Sequence, residues 1–270
     1  MKWARALLVA NLLTVGCPAP PTSWTEPVTG IEFVRLPAGE FEMGSPESEV
    51  GHEAGERRHR VRLTHALDFG RYEVTQGQWR RVMGANPSRF ADCGPDCPVE
   101  NVNALEIAEF LVRLRRLSGG TFRLPTEAEW EYACRAGSST PFGTGAKLSS
   151  AQANYDGRYP YAGSPPGGFA AQTTPVGSYP ANAWGLFDLH GNVWEWCADD
   201  LCPYPPGEAG TAVIDPRGVC ASGLKVIRGG SWTFNGDSAR CAVRYSHRPQ
   251  DRGPSLGFRL VHEPGGAAVR

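Results

Sequence analysis

The sequence has no charge excess: 27 Lys and Arg stand against 28 Asp and Glu in 270 residues. A chain this close to neutral has no long-range field to steer it to nucleic acid, which is therefore not expected as a partner. Beyond the first fifteen residues there is no apolar run of the roughly 20 residues that a spanning helix needs. No internal repeat is present, so a solenoid or propeller is excluded. Gly and Pro, by contrast, are abundant, 33 and 23 residues. That composition favours short elements joined by long structured loops over a helical bundle.

The N-terminus bears on the compartment. Lys2 and Arg5 precede a largely apolar stretch over residues 6–15, followed by Gly16 and Cys17. This is the layout of a secretory signal peptide. Gly before Cys fits a bacterial lipoprotein cleavage site with Cys17 as the acylated first residue, although Thr14 departs from the aliphatic usual there. An ordinary signal peptide with an incidental cysteine is the alternative. The expectation is an exported protein, periplasmic or held at the membrane only through an N-terminal lipid. Residues 18–29 read as a Pro-rich tether, residues 30–262 as one domain, and residues 263–270 as a frayed tail.

Periodicity gives an α+β domain. Ile31–Arg35 and Phe41–Met43 alternate as strands around a Pro37-Ala-Gly39 turn, and Val61–Leu63 is a further strand. Thr75 caps a helix with Trp79, Val82 and Met83 on one face, ending at Gly84. Asn103 opens a second helix with Leu105, Ala108, Phe110, Leu111 and Leu114 as its apolar stripe. Thr126-Glu-Ala-Glu129 is a capping box for a third. Short strands return at Lys225–Arg228, Arg240–Tyr245 and Gly257–Val261.

Eight cysteines suit an oxidising compartment. Cys93 and Cys97 bracket Gly-Pro-Asp and close a local ring, the alternative being a weak metal motif without a nearby His. Cys202 and Cys220 flank a Pro/Gly-rich loop and pair in one allocation, with Cys197 left as a buried thiol. His52, Glu53, Glu56 and His59 lie close together; a solvated charged loop is the expectation over a metal cluster. His190 and His247 are single histidines on loops, lining a groove or facing water.

The most specific stretches are Asp188-Leu-His-Gly-Asn-Val-Trp-Glu-Trp196 and Arg228-Gly-Gly-Ser-Trp232. With them go Glu73-Val-Thr75, Met83-Gly-Ala-Asn-Pro-Ser88, Leu124-Pro-Thr-Glu-Ala-Glu-Trp-Glu-Tyr132 and Gly257-Phe-Arg-Leu260. In this order, from about Gly30 to Val261, they resemble the formylglycine-generating-enzyme (sulfatase-modifying-factor) family. The resemblance implies a variant of the C-type-lectin-like fold and a long-range disulfide at Cys134–Cys241. It also implies a structural calcium site at Asp188, Glu195 and the backbone carbonyls of Gly191 and Val193; two carboxylates with main-chain oxygens suit this hard cation. The alternative is that Asp188 and Glu195 only hydrogen-bond the loop. A second family calcium site maps to Asn154 and the carbonyl of Tyr155, but its acid position reads Gly167.

Active members of that family bind copper(I) through two cysteine thiolates between the Gly-Gly-Ser and the disulfide cysteine. Here residues 229–240 contain no cysteine. Phe234 and Gly236 stand at the two positions, and a hydroxyl or carbonyl is no substitute for soft sulfur. Copper is not expected. Ser231 is a weak candidate nucleophile in its Gly-Gly-Ser turn, without a Gly-x-Ser-x-Gly elbow around it. The leading expectation is therefore a binding module for a peptide or protein at the cell envelope. Its loop-rich face would carry Trp184, Trp194, Ser231, Trp232, Arg244, His247 and Arg248, since aromatic and Arg groups anchor such surfaces. A maturation enzyme of altered chemistry and a formylglycine-generating oxidase working without the cysteine pair are the alternatives.

Overall fold

A computed structural model describes residues 22–204 and 211–264, so Cys17, the signal segment and residues 265–270 of the expected tail lie outside the described residues. In chain order the elements are β1 (Ser23–Thr25), β2 (Glu32–Leu36), β3 (Gly39–Met43), β4 (His59–Leu63), β5 (Leu67–Gly70), α1 (Gln76–Met83) and α2 (Ala104–Ser118). Then follow β6 (Phe122–Arg123), α3 (Glu127–Arg135), β7 (Trp194–Asp200), β8 (Val213–Ile214), β9 (Lys225–Arg228), β10 (Tyr245–His247), β11 (Leu256–Gly257) and β12 (Val261–His262). They form three sheets, ordered β1-β2-β5-β12-β6, β10-β9-β7-β11 and β3-β4-β8. This is the α+β class, with mixed sheets and few helices, that the C-type-lectin-like variant requires.

All three helices start where capping predicts. Thr75, Asn103 and Thr126 each accept the N3 amide, and Gln78, Glu106 and Glu129 reach back to the cap amide. Two orphan donors per helix are satisfied in this way. The face of α2 differs from expectation. Ile107, Phe110 and Leu114 are buried, whereas Leu105 is 63% exposed and Ala108 also faces solvent. Choosing Ile107 rather than its neighbours rotates the stripe onto Trp79 of α1, whose ring stacks on Phe110 at 5.1 Å.

The expected tether is too long at its C-terminal end. Ser23–Thr25 pairs antiparallel with β2, and Trp24 stacks on Phe33 at 4.9 Å, so residues 22–29 belong to the domain. At the other end Glu263 is also part of it, since its carboxylate takes Arg123 at 2.7 Å. The expected strand Arg240–Tyr245 is confined to β10, because a 3₁₀ turn at Gly236–Ala239 and the buried Arg240 occupy the approach. Residues 257–261 divide between β11 and β12, which belong to different sheets. Between α3 and β7, residues 136–193 hold no helix or strand. A small cluster of Phe142, Leu148, Ala153, Tyr155 and Tyr161 closed by Ala239 gives that stretch its own core.

The charged run before β4 is not a solvated loop. Glu56 is 1% exposed and grips Arg240 through both oxygens at 2.8 Å. Ser45 donates to the same carboxylate at 2.6 Å and meets His52 at 2.7 Å. Glu56 fastens the loop to the distant Arg240, a role that local sequence pattern does not reveal, while Glu53 faces solvent as expected.

Glu100 gives a pH-dependent prediction. It is fully buried; one oxygen accepts the Phe90 amide at 2.8 Å and the other has no partner. Burial pushes its pKa up to about 7. A carboxyl whose folded pKa is raised contributes fully below its unfolded value near 4.3, and that stability is lost as pH rises toward 7. Glu100→Gln keeps the acceptor and removes the charge. The variant is expected to be more stable than the parent at pH 8 by about 1–3 kcal/mol, with the difference shrinking toward pH 4 in urea titrations. A constant difference across that range contradicts the reading.

Candidate functional site

The loop entering β7 is built from left-handed turns. Asp188, Gly191 and Asn192 have φ of 58°, 104° and 58°. Gly191 is required there twice over, since a Cβ on it would lie 2.2 Å from the Asn154 carbonyl oxygen. These turns aim Asp188 and Glu195 into the core. Glu195 receives Arg259 on both oxygens at 2.6 Å and the Trp130 indole N–H at 2.7 Å. Asp188 accepts the Gly177 amide at 2.6 Å. Glu73 stands behind them, accepting the Val193 amide at 3.1 Å and the Asn192 side chain at 2.7 Å.

Three buried carboxylates thus lie near one guanidinium, which bonds Glu195 alone of the three. Burial, compounded by the Asp188 and Glu195 charges, holds the Glu73 carboxyl well above the carboxylate range; burial also pushes Asp188 to about 6. The predicted calcium ligands fit a cation in charge, and the Gly191 and Val193 carbonyls accept no amide from outside the strands among the described residues. Glu195 departs from the expected geometry because Arg259 already holds both of its oxygens. Glu73 and Arg259 escape sequence reasoning as site residues. The signal for them is an ionisable group between apolar neighbours, Tyr72 and Val74 for one, Phe258 and Leu260 for the other.

The second, weaker calcium site has no free acid to complete it, since Gly167 stands at its acid position. Asn154 spends its amide on Gln172, Thr174 and Asn192, and its carbonyl accepts the Asn192 amide at 2.8 Å. Gly167 packs against Ser150, and the neighbouring Asp156 is held by Arg158 through two contacts of 2.8 Å. Tyr155 is buried in the small cluster with its hydroxyl on the Leu148 carbonyl.

Cys93–Cys97 and Cys202–Cys220 are bonded, and Cys197 is a buried free thiol. The expected Cys134–Cys241 bond is a correction: both are free, buried thiols in the structure. Their sulfurs and a His190 ring nitrogen lie within 4.8 Å of one another, so α3 and the segment after the 3₁₀ turn do bring the two together, beside the imidazole rather than in a bond. This trio resembles a metal cluster only by type. His190 has both ring nitrogens in use, Nε2 accepting the Gly143 amide at 3.0 Å and Nδ1 donating to the Ala239 carbonyl at 2.8 Å. Burial lowers its pKa to about 4, so it is a neutral structural histidine, neither in a groove nor facing water.

At the Gly-Gly-Ser turn, Ser231 is fully buried and its hydroxyl has no partner; the buried Trp194 indole N–H likewise has none. Phe234 lies edge-on to Trp194 at 5.3 Å, and Tyr245 stacks on Trp194 at 5.5 Å. Gly236 is buried against the chain of Pro160 and Tyr161, where a Cβ would meet the Tyr161 amide nitrogen at 2.4 Å.

The sulfatase-modifying factor enzyme 1-like domain model matches residues 21–264. The chain belongs to this family. It is 28% identical over 317 residues to the formylglycine-generating enzyme of Bos taurus, covering 96% of this chain and 80% of the relative. It is 34% identical over 198 residues to that of Streptomyces coelicolor, covering 70% and 60%. Among solved structures, PvdO from Pseudomonas aeruginosa superposes with a TM-score of 0.73 at 31% identity, over 92% of this chain and all of that one. Treponema denticola variable protein 1 gives 0.75 at 27% identity, over 90% and 100%.

Within this sulfatase-modifying-factor domain, the residues that the resemblance sets at the copper positions do not fit copper(I). The segment offers an aromatic ring, a glycine with no room for a side chain and a hydroxyl, none of them a soft donor. The expected ligand face is divided. Trp194, Ser231, Phe234, Tyr245 and His247 form one neighbourhood, with His247 6.0 Å from Tyr245. Trp232 adjoins it, half-buried, stacked on Phe169 and bonded to the Pro254 carbonyl. Arg248 is exposed. Trp184 instead packs on Tyr132 at 4.7 Å. Arg244 is tied to Glu127 and covers Tyr204 in a separate cavity of about 300 Å³. These two leave the face because each has a stronger partner: an aromatic core for Trp184 and a buried carboxylate for Arg244.

Proposed function

We propose that this protein is an exported ligand-binding member of the family in which the thiol-oxidase centre has been replaced by a binding pocket. The observation that carries the reading is that two of the buried polar atoms without a partner among the described residues, Ser231 Oγ and Trp194 Nε1, fall in one aromatic neighbourhood. Buried polar groups are nearly always satisfied, so two orphans beside Phe234 and Tyr245 mark a place for an incoming polar group. The Ser231 hydroxyl gives or accepts a hydrogen bond, the indole donates one, and the aromatic rings exclude water. Trp232, Phe169 and Arg158 extend the same face, with the Arg158 guanidinium 4.0 Å from the Phe169 ring centre. A peptide or protein segment at the envelope is the ligand class. An enzyme of altered chemistry is the second reading, favoured by the same unpartnered Ser231 hydroxyl.

The test is direct. Purified protein given copper(I) and a Cys-x-Pro-x-Arg peptide is expected to leave the cysteine unoxidised. Formylglycine by mass spectrometry above the copper-only control would reinstate the oxidase.

Calcium at Asp188, Gly191, Val193 and Glu195 is part of the proposal. The ion would neutralise the buried acidic excess and stabilise the fold by mass action, about 2.7 kcal/mol at a hundred times its dissociation constant. Chelator is expected to lower the melting temperature of the parent, and Asp188→Asn to remove most of that sensitivity. Asp188 is the better probe, because Glu195 also holds Arg259. A melting curve that ignores chelator after confirmed metal removal ends the calcium reading.

A further inference from the structure

The C-terminal halves of α1 and α2 carry five exposed arginines, Arg80, Arg81, Arg113, Arg115 and Arg116. The helices are packed side by side, Trp79 on Phe110, with Arg113 donating to the Met83 carbonyl at the end of α1. Of the five, only Arg113 has a carboxylate partner among the described residues, Glu109. The other acid of α2, Glu106, serves the helix cap and Arg252. Helix dipoles favour a cation in each last turn, but they give no reason for an apolar stripe beside them. Val112 and Leu105 are 51% and 63% exposed on the outer face of α2, one turn and three turns before Arg116. In a chain of near-zero net charge, a local basic and apolar face is a deliberate asymmetry.

The chain enters the domain beside this face. Arg81 donates to the Val28 carbonyl at 2.9 Å and Gln78 to the Gly30 carbonyl at 3.3 Å. Trp24 lines a cleft with Ser118 and Gly120 at the end of α2. From Cys17 to Ser23 the chain spans at most about 20 Å. A lipid on Cys17 would hold the domain within that reach of a membrane.

We propose that the exposed face of α1 and α2 docks on an anionic phospholipid surface, with the arginines on headgroup phosphates and Val112 and Leu105 at the headgroup boundary. Basic groups near such a surface contribute roughly fivefold in binding each. The Cys17 reading supports the orientation only, and the surface is tested without it. The chain from residue 17 onward, carrying Cys17→Ser, is sedimented with vesicles of phosphatidylglycerol in phosphatidylcholine and with phosphatidylcholine alone. Binding to the first but not the second, falling as salt shortens the screening length, is the expected result. Combining Arg80→Ala, Arg115→Ala and Arg116→Ala should weaken it roughly a hundredfold with an unchanged melting curve, since none of the three has a side-chain partner among the described residues. Equal binding to both vesicles, no binding to either, or undiminished binding by the triple variant overturns the proposal. Acylation of Cys17 is read separately, by fatty-acid labelling of the native protein, so failure of one reading leaves the other intact.

Discussion

Arg259→Met is expected to lower the stability of the domain by about 3–5 kcal/mol, the cost of stranding a buried charge. Arg259 is fully buried and makes four close hydrogen bonds to three partners: one to each oxygen of Glu195, one to the Gly70 carbonyl at 3.1 Å and one to the Phe187 carbonyl at 3.0 Å. Methionine fills much of the volume, so the loss measures charge and hydrogen bonding rather than a cavity. What remains is Glu195 beside Asp188 and Glu73 with no guanidinium among them. Glu195→Gln in the same background removes one stranded charge, and the double variant should recover part of the loss, a coupling that only residues in contact show. Urea titration gives both numbers. Calcium should protect Arg259→Met more than the parent, because the ion then supplies the missing positive charge. A single-variant loss below about 1 kcal/mol, the level of a solvent-exposed pair, would show that the acids are not buried together.

This cluster marks the limit of what is legible in the sequence. Capping boxes are local patterns, so Thr75, Asn103 and Thr126 announce their helices without any tertiary information. The Gly191 turn and its two flanking acids are legible for the same reason. The partner of Glu195 is not, because Arg259 is 64 residues away in the chain and nothing in either segment names the other. Glu56 and Arg240 repeat the lesson across 184 residues. Sequence pattern assigned Arg244 to a ligand face by residue type, yet Glu127 of α3 claims it. Pro-rich composition overstates the length of the tether, because Trp24, a single aromatic, packs on Phe33 and adds a strand. In each case an element was read correctly where its cause is local and missed where the cause is a contact.

Placing a thiolate pair at the two positions the resemblance assigns, by Phe234→Cys with Gly236→Cys, is expected to destabilise the protein and yield no oxidase. Phe234 packs on Trp194 at 5.3 Å and on Tyr245 at 6.3 Å. Shrinking it to Cys leaves a hole beside Trp194 and Tyr245, costing about 2–3 kcal/mol at a partly buried site. Gly236 presents the harder obstacle. Its Cβ would sit 2.4 Å from the Tyr161 nitrogen and 3.1 Å from the Pro160 carbonyl carbon. Both are main-chain atoms, so no rotamer relieves the clash and the loop must move, at about 1–3 kcal/mol for overpacking. That shift would also disturb the Gly236 amide on the Tyr159 carbonyl, 2.9 Å in the parent. The sum is a large part of the 5–15 kcal/mol that holds a domain together. Even a folded variant would present its second sulfur wherever the displaced loop left it, not opposite the first, and copper(I) needs both donors at once. Melting curves of the two single variants and the double variant, with peptide oxidation by mass spectrometry, decide the matter. Gly236→Cys should melt below the parent by itself, and turnover by the double variant would show that the loop, not the missing sulfur, had been misread.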